Sequence, residues 1–365
     1  MKQGWKTYRL GDVATMKYGK LPPKNNSGQY PIWSGYRNVG FTDTYNCGKG
    51  TIIVVARGVG GTGDVKIAKE DCFLTNLSIA VNLDVNICNP QFFYYKFLLS
   101  NLKYLDSGSA QSQITIDDLK RLQISLPGLE EQRRIAGILG AIDDKIENNR
   151  RINTNLELQA QALFDEWFVN DSTQPAEYNR ASLTDIANYL NGLAMQRFRP
   201  QSDEKAIPVL KIKELGQGMC DSSSDICSQS IDSKYIVNDG DIIFSWSGTL
   251  LVDIWCGGIC GLNQHLFKVT SDKYPKWFVY YWTKYHLAKF IRIAKDKAVT
   301  MGHIKRGDLE TSEVLIPNAE ILSKMDNIIA PIFDAIISRR VENKNLATLR
   351  DTLLPKFMNG EIITK

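Results

Sequence analysis

The stretch EEQRRIAGILGAIDDKIENNRRINTNLELQAQALFDEWF, from Glu130 to Phe168, decides how this chain folds. Two interleaved series of residues recur in it every seven positions, namely Ile135, Ile142, Asn149, Leu156 and Leu163, and Leu139, Ile146, Asn153, Ala160 and Trp167. Alternating steps of four and three residues are typical of a coiled-coil seam. The seam is about 48 Å long at 1.5 Å per residue, and one helix cannot bury it alone.

The partner helix is predicted in the same chain, 190 residues further on. Asn153 is matched by Asn343 at this offset, and the strand-like segment 50–53 is matched by 240–243. A constant offset across helix and strand segments indicates a tandem duplication. The predicted fold class is therefore α/β (α+β), with two globular domains in tandem, each followed by a long helix. The two helices are expected to form an antiparallel coiled coil.

Four segments follow from this pattern. The first globular domain is expected over residues 1–126 and the first spacer helix over 127–170. The second globular domain is expected over 171–316 and the second spacer helix over 317–365.

Within the globular domains, Ile52–Val55 and Ile242–Ser245 lie in apolar runs bounded by glycine, which predicts buried strands. Pro90 and Pro275 each mark the start of a helix, the first expected to reach about Leu105.

The second long helix is less regular. Pro331 is expected to kink or restart it, and Pro355 to end it, because proline lacks a backbone N–H. Asn153 and Asn343 occupy equivalent seam positions, which predicts that they pair with each other and fix the register. We also expect the helix pair to set the distance between the two globular domains.

Composition narrows the class of protein. The chain has 365 residues and seven cysteines, an odd number without a repeated Cys-x-x-Cys, and no apolar run long enough for a membrane span. Neither a membrane nor a secretory signal is expected, so the predicted location is the reducing cytoplasm. Cys256, Cys260 and His265 resemble part of a zinc site, but the first copy does not repeat them, so no metal is expected.

Charge is unevenly distributed although the net charge is only +4. Residues 1–126 carry 15 Lys/Arg against 9 Asp/Glu, and residues 276–306 carry 8 basic residues against Asp296 alone. Basic stretches in both globular parts favour a protein that binds a polyanion at two places.

Two motifs resemble catalytic or cofactor sites. Residues 58–63 spell G-x-G-x-x-G, but the next segment alternates like a strand, so a hairpin loop is predicted rather than a dinucleotide site. Residues 89–92 resemble the tetrad of adenine methyltransferases, but no glycine-rich methyl-donor motif precedes them. The three histidines form no triad that both copies share. No catalytic residue and no cofactor are therefore expected in this chain.

Polar and aromatic loop residues remain as candidates for DNA contact. Arginine, glutamine, histidine and serine can read base edges, and lysine can hold phosphate. In the first copy the candidates are Lys20, Tyr36, Arg37, Arg57, Gln111 and Gln113. In the second copy they are Arg197, Arg199, Trp246, Ser247, Thr300, His303 and Lys305.

Residues 126–153 (LPGLEEQRRIAGILGAIDDKIENNRRIN), 160–168 and 349–362 resemble the conserved regions of specificity subunits of type I restriction-modification enzymes. The resemblance implies a subunit without catalysis whose two recognition domains read a bipartite site in double-stranded DNA. It also implies two methyltransferase subunits docked on the helices, which bring S-adenosylmethionine, and restriction (motor-nuclease) subunits.

Three alternatives stay open at this stage. The chain can be the specificity half of a type II-like system, a methyltransferase, or a scaffold that joins two proteins through its coil. The missing tetrad and methyl-donor motif argue against the second alternative, and absence of methyl-donor binding by the purified chain would settle it. Retained binding to a duplex with one split sequence, at raised salt, would exclude the third.

Overall fold

In a computed structural model, the described residues are 4–22, 27–35, 37–58, 61–98, 100–106, 112–170, 178–296 and 303–362. They form two compact units. Unit 1 comprises Met1–Asp144 and Ala347–Lys365, and unit 2 comprises Lys145–Leu346.

Unit 1 contains nine strands, β1 Lys6–Arg9, β2 Ala14–Tyr18, β3 Tyr30–Ser34, β4 Arg37–Thr42, β5 Ile52–Val55, β6 Val65–Ile67, β7 Phe73–Leu74, β8 Ser78–Leu83 and β9 Gln123–Leu126, within its described residues. Its helices are α1 Leu10–Val13, α2 Pro90–Leu98, α3 Ile116–Arg121 and the first part of α4 Leu129–Phe168. The strands make sheets in the orders β1-β9, β2-β8-β5-β6 and β4-β3-β7.

Unit 2 contains strands β10 Asn179–Ser182, β11 Asn188–Asn191, β12 Ala206–Leu210, β13 Ile226–Ser228, β14 Ile236–Val237, β15 Ile242–Ser245, β16 Leu251–Ile254, β17 Cys260–Leu262, β18 Leu266–Thr270 and β19 Glu313–Ile316. Its helices are α5 Leu183–Ile186, α6 Ile212–Gln217, α7 Lys276–Tyr285, α8 Leu287–Asp296, α9 Arg306–Glu310 and most of α10 Ala319–Met358. Its sheets have the orders β10-β19, β11-β18-β15-β16 and β13-β12-β17-β14.

The two units share most of their topology, which confirms the tandem duplication, although the second sheet of unit 2 has an additional strand, β14. The sheet β2-β8-β5-β6 of unit 1 corresponds strand for strand to β11-β18-β15-β16 of unit 2. In the second sheet, β3 pairs in parallel with β7 just as β12 pairs in parallel with β17. Each unit therefore offers the same framework for the loops at its strand ends.

The cores sit between the four-stranded sheet and the helices that follow it. All four residues of β5 and all four of β15 are buried, as their apolar sequences predict. Phe92 and Phe93 of α2 belong to the core of unit 1, and Trp277 and Phe278 of α7 to that of unit 2. These large side chains hold the strands that carry the loops in fixed positions.

The hairpin prediction for residues 58–63, of which 59 and 60 lie outside the described residues, is confirmed by the flanking strands. Strands β5 and β6 on either side pair antiparallel, with Val54 opposite Val65. Helix α2, in contrast, ends at Leu98 rather than near Leu105, because the backbone N–H of Leu102 bonds the carbonyl of Gly63 in this hairpin at 2.7 Å instead of continuing the helix.

Both long helices are present, but the second one neither restarts at Pro331 nor ends at Pro355. Helix α4 covers Leu129–Phe168, and α10 runs from Ala319 through Pro331 and Pro355 to Met358. Both prolines are exposed. A carbonyl left without its helical partner on an exposed face can bond water, which reduces the penalty of an interior proline.

The predicted asparagine pairing is wrong by one helical turn. Asn343 accepts a hydrogen bond from Asn149 Nδ2 at 2.9 Å, whereas Asn153 Nδ2 donates to the carbonyl of Ile336 at 3.1 Å. The Oδ1 atoms of Asn149 and Asn153 are buried, and neither has a hydrogen-bond partner among the described residues. Within unit 2 the two helix segments are antiparallel, as predicted, but in a different register.

Helix α10 also makes a contact that the seam pattern does not contain. Arg340 of α10 lies between Glu157 of α4 and Asp253 of β16, with an N–O distance of 2.7 Å to each. The arginine also donates to the carbonyl of Ile254 at 3.3 Å. Because α10 is tied to a strand as well as to α4, the coil alone does not determine its register.

The last part of α10 belongs to unit 1. Leu354 and Phe357 are buried in the core of unit 1 together with Leu139 of α4. Arg350 bonds Asp143 at 2.8 Å, and Asp143 also accepts a hydrogen bond from Tyr95 at 2.7 Å. A segment that is distant in sequence therefore completes this core.

Candidate nucleic-acid interface

Four of the predicted contact residues form two equivalent pairs. Arg57 and Gln113 make an isolated antiparallel bridge in unit 1, and Ser247 and His303 make one in unit 2. Each member of the second pair lies 190 positions after its counterpart, since 57 + 190 = 247 and 113 + 190 = 303. The fold thus brings together residues that lie more than fifty positions apart in sequence.

Backbone bonds next to each bridge hold it in place. The N–H of Ile114 bonds the carbonyl of Ala56 at 2.9 Å, and that of Ile304 bonds the carbonyl of Trp246 at 3.2 Å. Both isoleucines are buried. Because successive residues of an extended chain point to opposite faces, the residue before each isoleucine is directed away from the core. His303 is accordingly exposed and Gln113 half-buried.

A third segment reaches the same place in each unit. Lys20 bridges Thr75 in parallel, and Leu193 bridges Asn263 in parallel. Gly19 precedes Lys20, and Gly192 precedes Leu193. Each of these glycines lies so close to the opposing backbone that no side chain fits. Thr75 and Asn263 are therefore brought beside the bridges, although the sequence pattern did not single them out.

Unit 2 carries a connected polar cluster at this position. Trp246 Nε1 donates to Asn191 Oδ1 at 2.9 Å. Ser247 Oγ and His265 Nδ1 are 3.1 Å apart, and His265 Nε2 lies 3.3 Å from Gln264 Nε2. Asn191 is exposed, and Trp246, Gln264 and His265 are half-buried, so the cluster borders solvent.

Unit 1 has a different chemistry on the same frame. The backbone bond from Trp246 to the carbonyl of His265 corresponds to the bond from Ala56 to the carbonyl of Leu77. An indole and an imidazole in unit 2 are thus replaced by a methyl and an isobutyl group in unit 1, where Arg57 is exposed instead. The two interfaces share a backbone and differ in their functional groups.

The remaining candidates lie at several places. Lys20 and Arg37 are exposed in unit 1, and Arg197, Arg199 and Lys305 are exposed in unit 2. Lys305 precedes α9, where its backbone N–H donates to Asp308 at 2.7 Å. Arg37, Arg197 and Arg199 belong to other segments, namely β4 and the turn of 3₁₀-helix Met195–Arg197 with the residues after it. Three candidates, Tyr36, Gln111 and Thr300, lie outside the described residues.

The residues that sequence reasoning missed are Asn191, Asn263, Gln264 and the role of His265. They lie at the end of β11 and in the turn before β18, which pairs with both β11 and β15. A signal for them exists at a second offset, because Leu74-Thr75-Asn76 precedes β8 just as Leu262-Asn263-Gln264 precedes β18. This match at 188 positions extends the duplication into the turn.

Across the described ranges, no group of three or more histidine, cysteine or acidic side chains is arranged to hold a metal ion. Burial raises the pKa of Cys256 to about 11, which favours the neutral thiol over a metal-binding thiolate. The same ranges contain no helix with the length and apolar character that a membrane crossing requires.

Comparison with known proteins places this geometry in context. The sequence profile of the Type I restriction modification DNA specificity domain matches residues 2–158 and 175–350. The type I restriction enzyme MjaIX specificity subunit of Methanocaldococcus jannaschii is 28% identical over 342 residues, covering 86% of this chain and 78% of that protein. The HindI specificity subunit of Haemophilus influenzae is 21% identical, covering 78% of this chain and 80% of that protein. The crystal structure of a type I restriction-modification S subunit from M. genitalium superimposes with a TM-score of 0.70 at 18% identity, covering 97% of this chain and 96% of the other.

Proposed function

Because the chain belongs to the type I restriction modification DNA specificity family, we propose that it reads a bipartite double-stranded DNA site through one interface in each unit. Members of this family supply specificity, so the chain itself is a non-catalytic subunit. The recognition domains are assigned to residues 1–126 and 171–316, and the spacer helices to 127–170 and 317–365. The proposed location is the cytoplasm.

The observation that carries this proposal is the pair of equivalent bridges with different side chains. The same backbone arrangement in each unit suits two half-sites. Different side chains on that backbone suit two different base sequences. At the first interface, Arg57 can bond guanine O6 and N7, and Gln113 can bond adenine N6 and N7. At the second, Ser247, His303 and Asn191 offer a different set of donors and acceptors.

Two methyltransferase subunits are proposed as partners on the long helices. Ile138 of α4 and Ile328 of α10 lie 190 positions apart, and both are exposed, by 40% and 52%. An apolar side chain repeated on equivalent helices suits two copies of one partner. The methyl donor, S-adenosylmethionine, is assigned to those subunits and not to this chain. Restriction (motor-nuclease) subunits complete the proposed assembly.

A domain exchange tests the proposal. Residues 1–126 are replaced by the corresponding domain of another family member, and methylated adenines are mapped in cells that express the chimera. We expect one half of the methylated sequence to change and the other half to stay, because each interface lies within one unit. A chimera that altered both halves, or neither, would refute separate readers.

Substitution of a single reader residue gives a quantitative prediction. Gln113→Ala is expected to weaken specific DNA binding by about 1–3 kcal/mol, as loss of one paired base contact does. Binding to unrelated DNA should stay the same, because phosphate contacts are retained. The matched control is Gln123→Ala, which removes an exposed glutamine from β9 of the same unit. Equal specific-to-nonspecific ratios for both variants would exclude Gln113 as a reader.

A further inference from the structure

Helix α8 presents a basic side at a position where the described residues of unit 1 form only the short 3₁₀-helix Lys103–Leu105. The exposed residues of α8 are Ala288, Arg292 and Lys295, which lie four and three positions apart and so share one side of the helix. No ion pair or hydrogen bond of either cationic side chain occurs within the described part of the chain. The same side therefore carries two charges that a ligand can reach.

The helix exists because the neighbouring loop is short. In unit 1 the connection between β5 and β6 spans residues 56–64, and Gly63 lies against the backbone of Leu102 and Lys103. In unit 2 the connection between β15 and β16 spans only residues 246–250. The chain after α7 can therefore continue as α8. The equivalent chain in unit 1 has a φ of 38° at Asn101 and then forms only the 3₁₀-helix Lys103–Leu105.

The opposite side of α8 is fully used in packing. Phe290 is buried and its ring stacks on Phe244 of β15 at 5.7 Å, and Ala294 is also buried. A helix whose apolar side is already covered by a sheet cannot insert that side into a lipid surface, although a basic amphipathic helix often does so. The exposed basic side is what remains for a partner.

Charge identifies the kind of partner. Helix α8 carries Lys289, Arg292 and Lys295 against Asp296, and Lys289 is held by the carbonyl of Thr311 at 3.1 Å. Lys295 lies in the last turn, where the helix dipole favours a cation, but this effect does not reach Arg292 in the middle of the helix. Two exposed cations on one side of a helix suit a row of phosphates.

The packing of α8 and its place in the chain link this helix to the reading interface of unit 2. Phe244, on which α8 packs, is followed two and three positions later by Trp246 and Ser247, and α8 precedes His303 in the chain by seven positions, since 303 − 296 = 7. We propose that Arg292 and Lys295 bind the phosphate backbone next to the half-site read by unit 2. This proposal rests on the proposed function and assigns to unit 2 an electrostatic contact beside its reading interface.

Salt dependence of DNA binding tests the proposal. The full chain and the variant Arg292→Gln/Lys295→Gln are titrated with a duplex that carries the mapped site and with an unrelated duplex, from about 50 to about 200 mM salt. Loss of two phosphate contacts should reduce the slope of log K against log salt by about 1.8 on both duplexes. The wild-type affinity should then fall about tenfold more across this range than that of the variant.

Three controls separate the possible causes. Lys324→Gln/Lys356→Gln removes the same charge from exposed positions of α10 and should leave the slope nearly unchanged. Arg292→Lys/Lys295→Arg keeps both charges and should retain the wild-type slope. Vesicles of anionic phospholipid should not bind the chain at any of these salt concentrations.

Equal slopes for the wild type and the glutamine variant, or equal losses in the α10 control, would overturn the phosphate contact. Binding to vesicles that is lost in the glutamine variant would overturn it in favour of a membrane. A wild-type chain that bound both duplexes equally would instead contradict the proposed function. The difference in slope between the wild type and the glutamine variant would still show whether α8 contacts phosphate.

Discussion

Alanine at Gly192 is expected to unfold or severely distort unit 2 and to abolish reading of one half-site. A Cβ atom at this position would lie 2.2 Å from the carbonyl oxygen of Asn263 and 2.4 Å from that of Leu262. Both are backbone atoms, so neither can move aside by rotation of a side chain. We expect a loss of about 3 kcal/mol in the free energy of unfolding, at the upper end of overpacking effects.

Chemical denaturation measures this loss, and a second glycine of the same unit provides the control. A Cβ atom added to Gly216 of α6 would meet no heavy atom within 4 Å, so Gly216→Ala should stabilise unit 2 by about 0.5–1 kcal/mol through helix propensity. Because Asn263 lies in this contact and Gln264 follows it in the chain, Gly192→Ala should also abolish the sequence-specific component of DNA binding. If Gly192→Ala unfolded at the same denaturant concentration as the wild type, the two backbones would be able to separate without a loss of stability.

The second large effect is expected at Arg340. Its guanidinium bonds Glu157 and Asp253 at 2.7 Å each, with side-chain exposures of 27%, 39% and 28% for Arg340, Glu157 and Asp253. Burial opposes the charged form, but the two carboxylates more than offset this and raise the pKa of Arg340. Arg340→Met fills a similar volume but leaves two carboxylates facing each other, and we expect a loss of about 2–3 kcal/mol, less than for a fully buried pair.

Lys324→Met is the matched control for Arg340. Lys324 also bonds a carboxylate at 2.7 Å on α10, but it and Glu320 are 71% and 77% exposed, so the expected change is below about 0.5 kcal/mol. Adding Glu157→Gln and Asp253→Asn to Arg340→Met should recover part of the lost stability, because the unpaired charges disappear. If the arginine and lysine variants unfolded alike, the position of α10 would not depend on this triad.

The duplication and the helix period could be read from the sequence because both are local or repeated patterns. The register could not, since Asn149 and Asn153 both occupy the seam, and the seven-residue pattern does not decide which of them pairs with Asn343. Pro331 illustrates the same limit, because its effect depends on which side of α10 faces solvent.

The interface was predictable to the extent that the two copies agree. Gln113 and His303 are predicted as equivalent candidates because their segments keep the offset of 190, and Arg57 and Ser247, predicted separately as loop residues, keep the same offset. Asn191 and His265 were missed because strand pairing brings them to Trp246 and Ser247, and the offset is not 190 in either part of the chain. It is 188 around His265 (265 − 77) and 173 around Asn191 (191 − 18).

Unit 1 is built from two separate segments of the chain, and this has a consequence for its biosynthesis. Unit 2 is a continuous insertion, Lys145–Leu346, whereas Leu139 shares a core with Leu354 and Phe357. A ribosome adds the 203 residues from Asp144 to Ala347 (347 − 144) in roughly 10–40 s, at about 5–20 residues per second. Unit 2 can therefore complete its fold first, while the nascent unit 1 keeps an apolar surface open until its final helix emerges. Circular permutation that joins the two ends of unit 1 should shorten that exposed interval and reduce aggregation during expression.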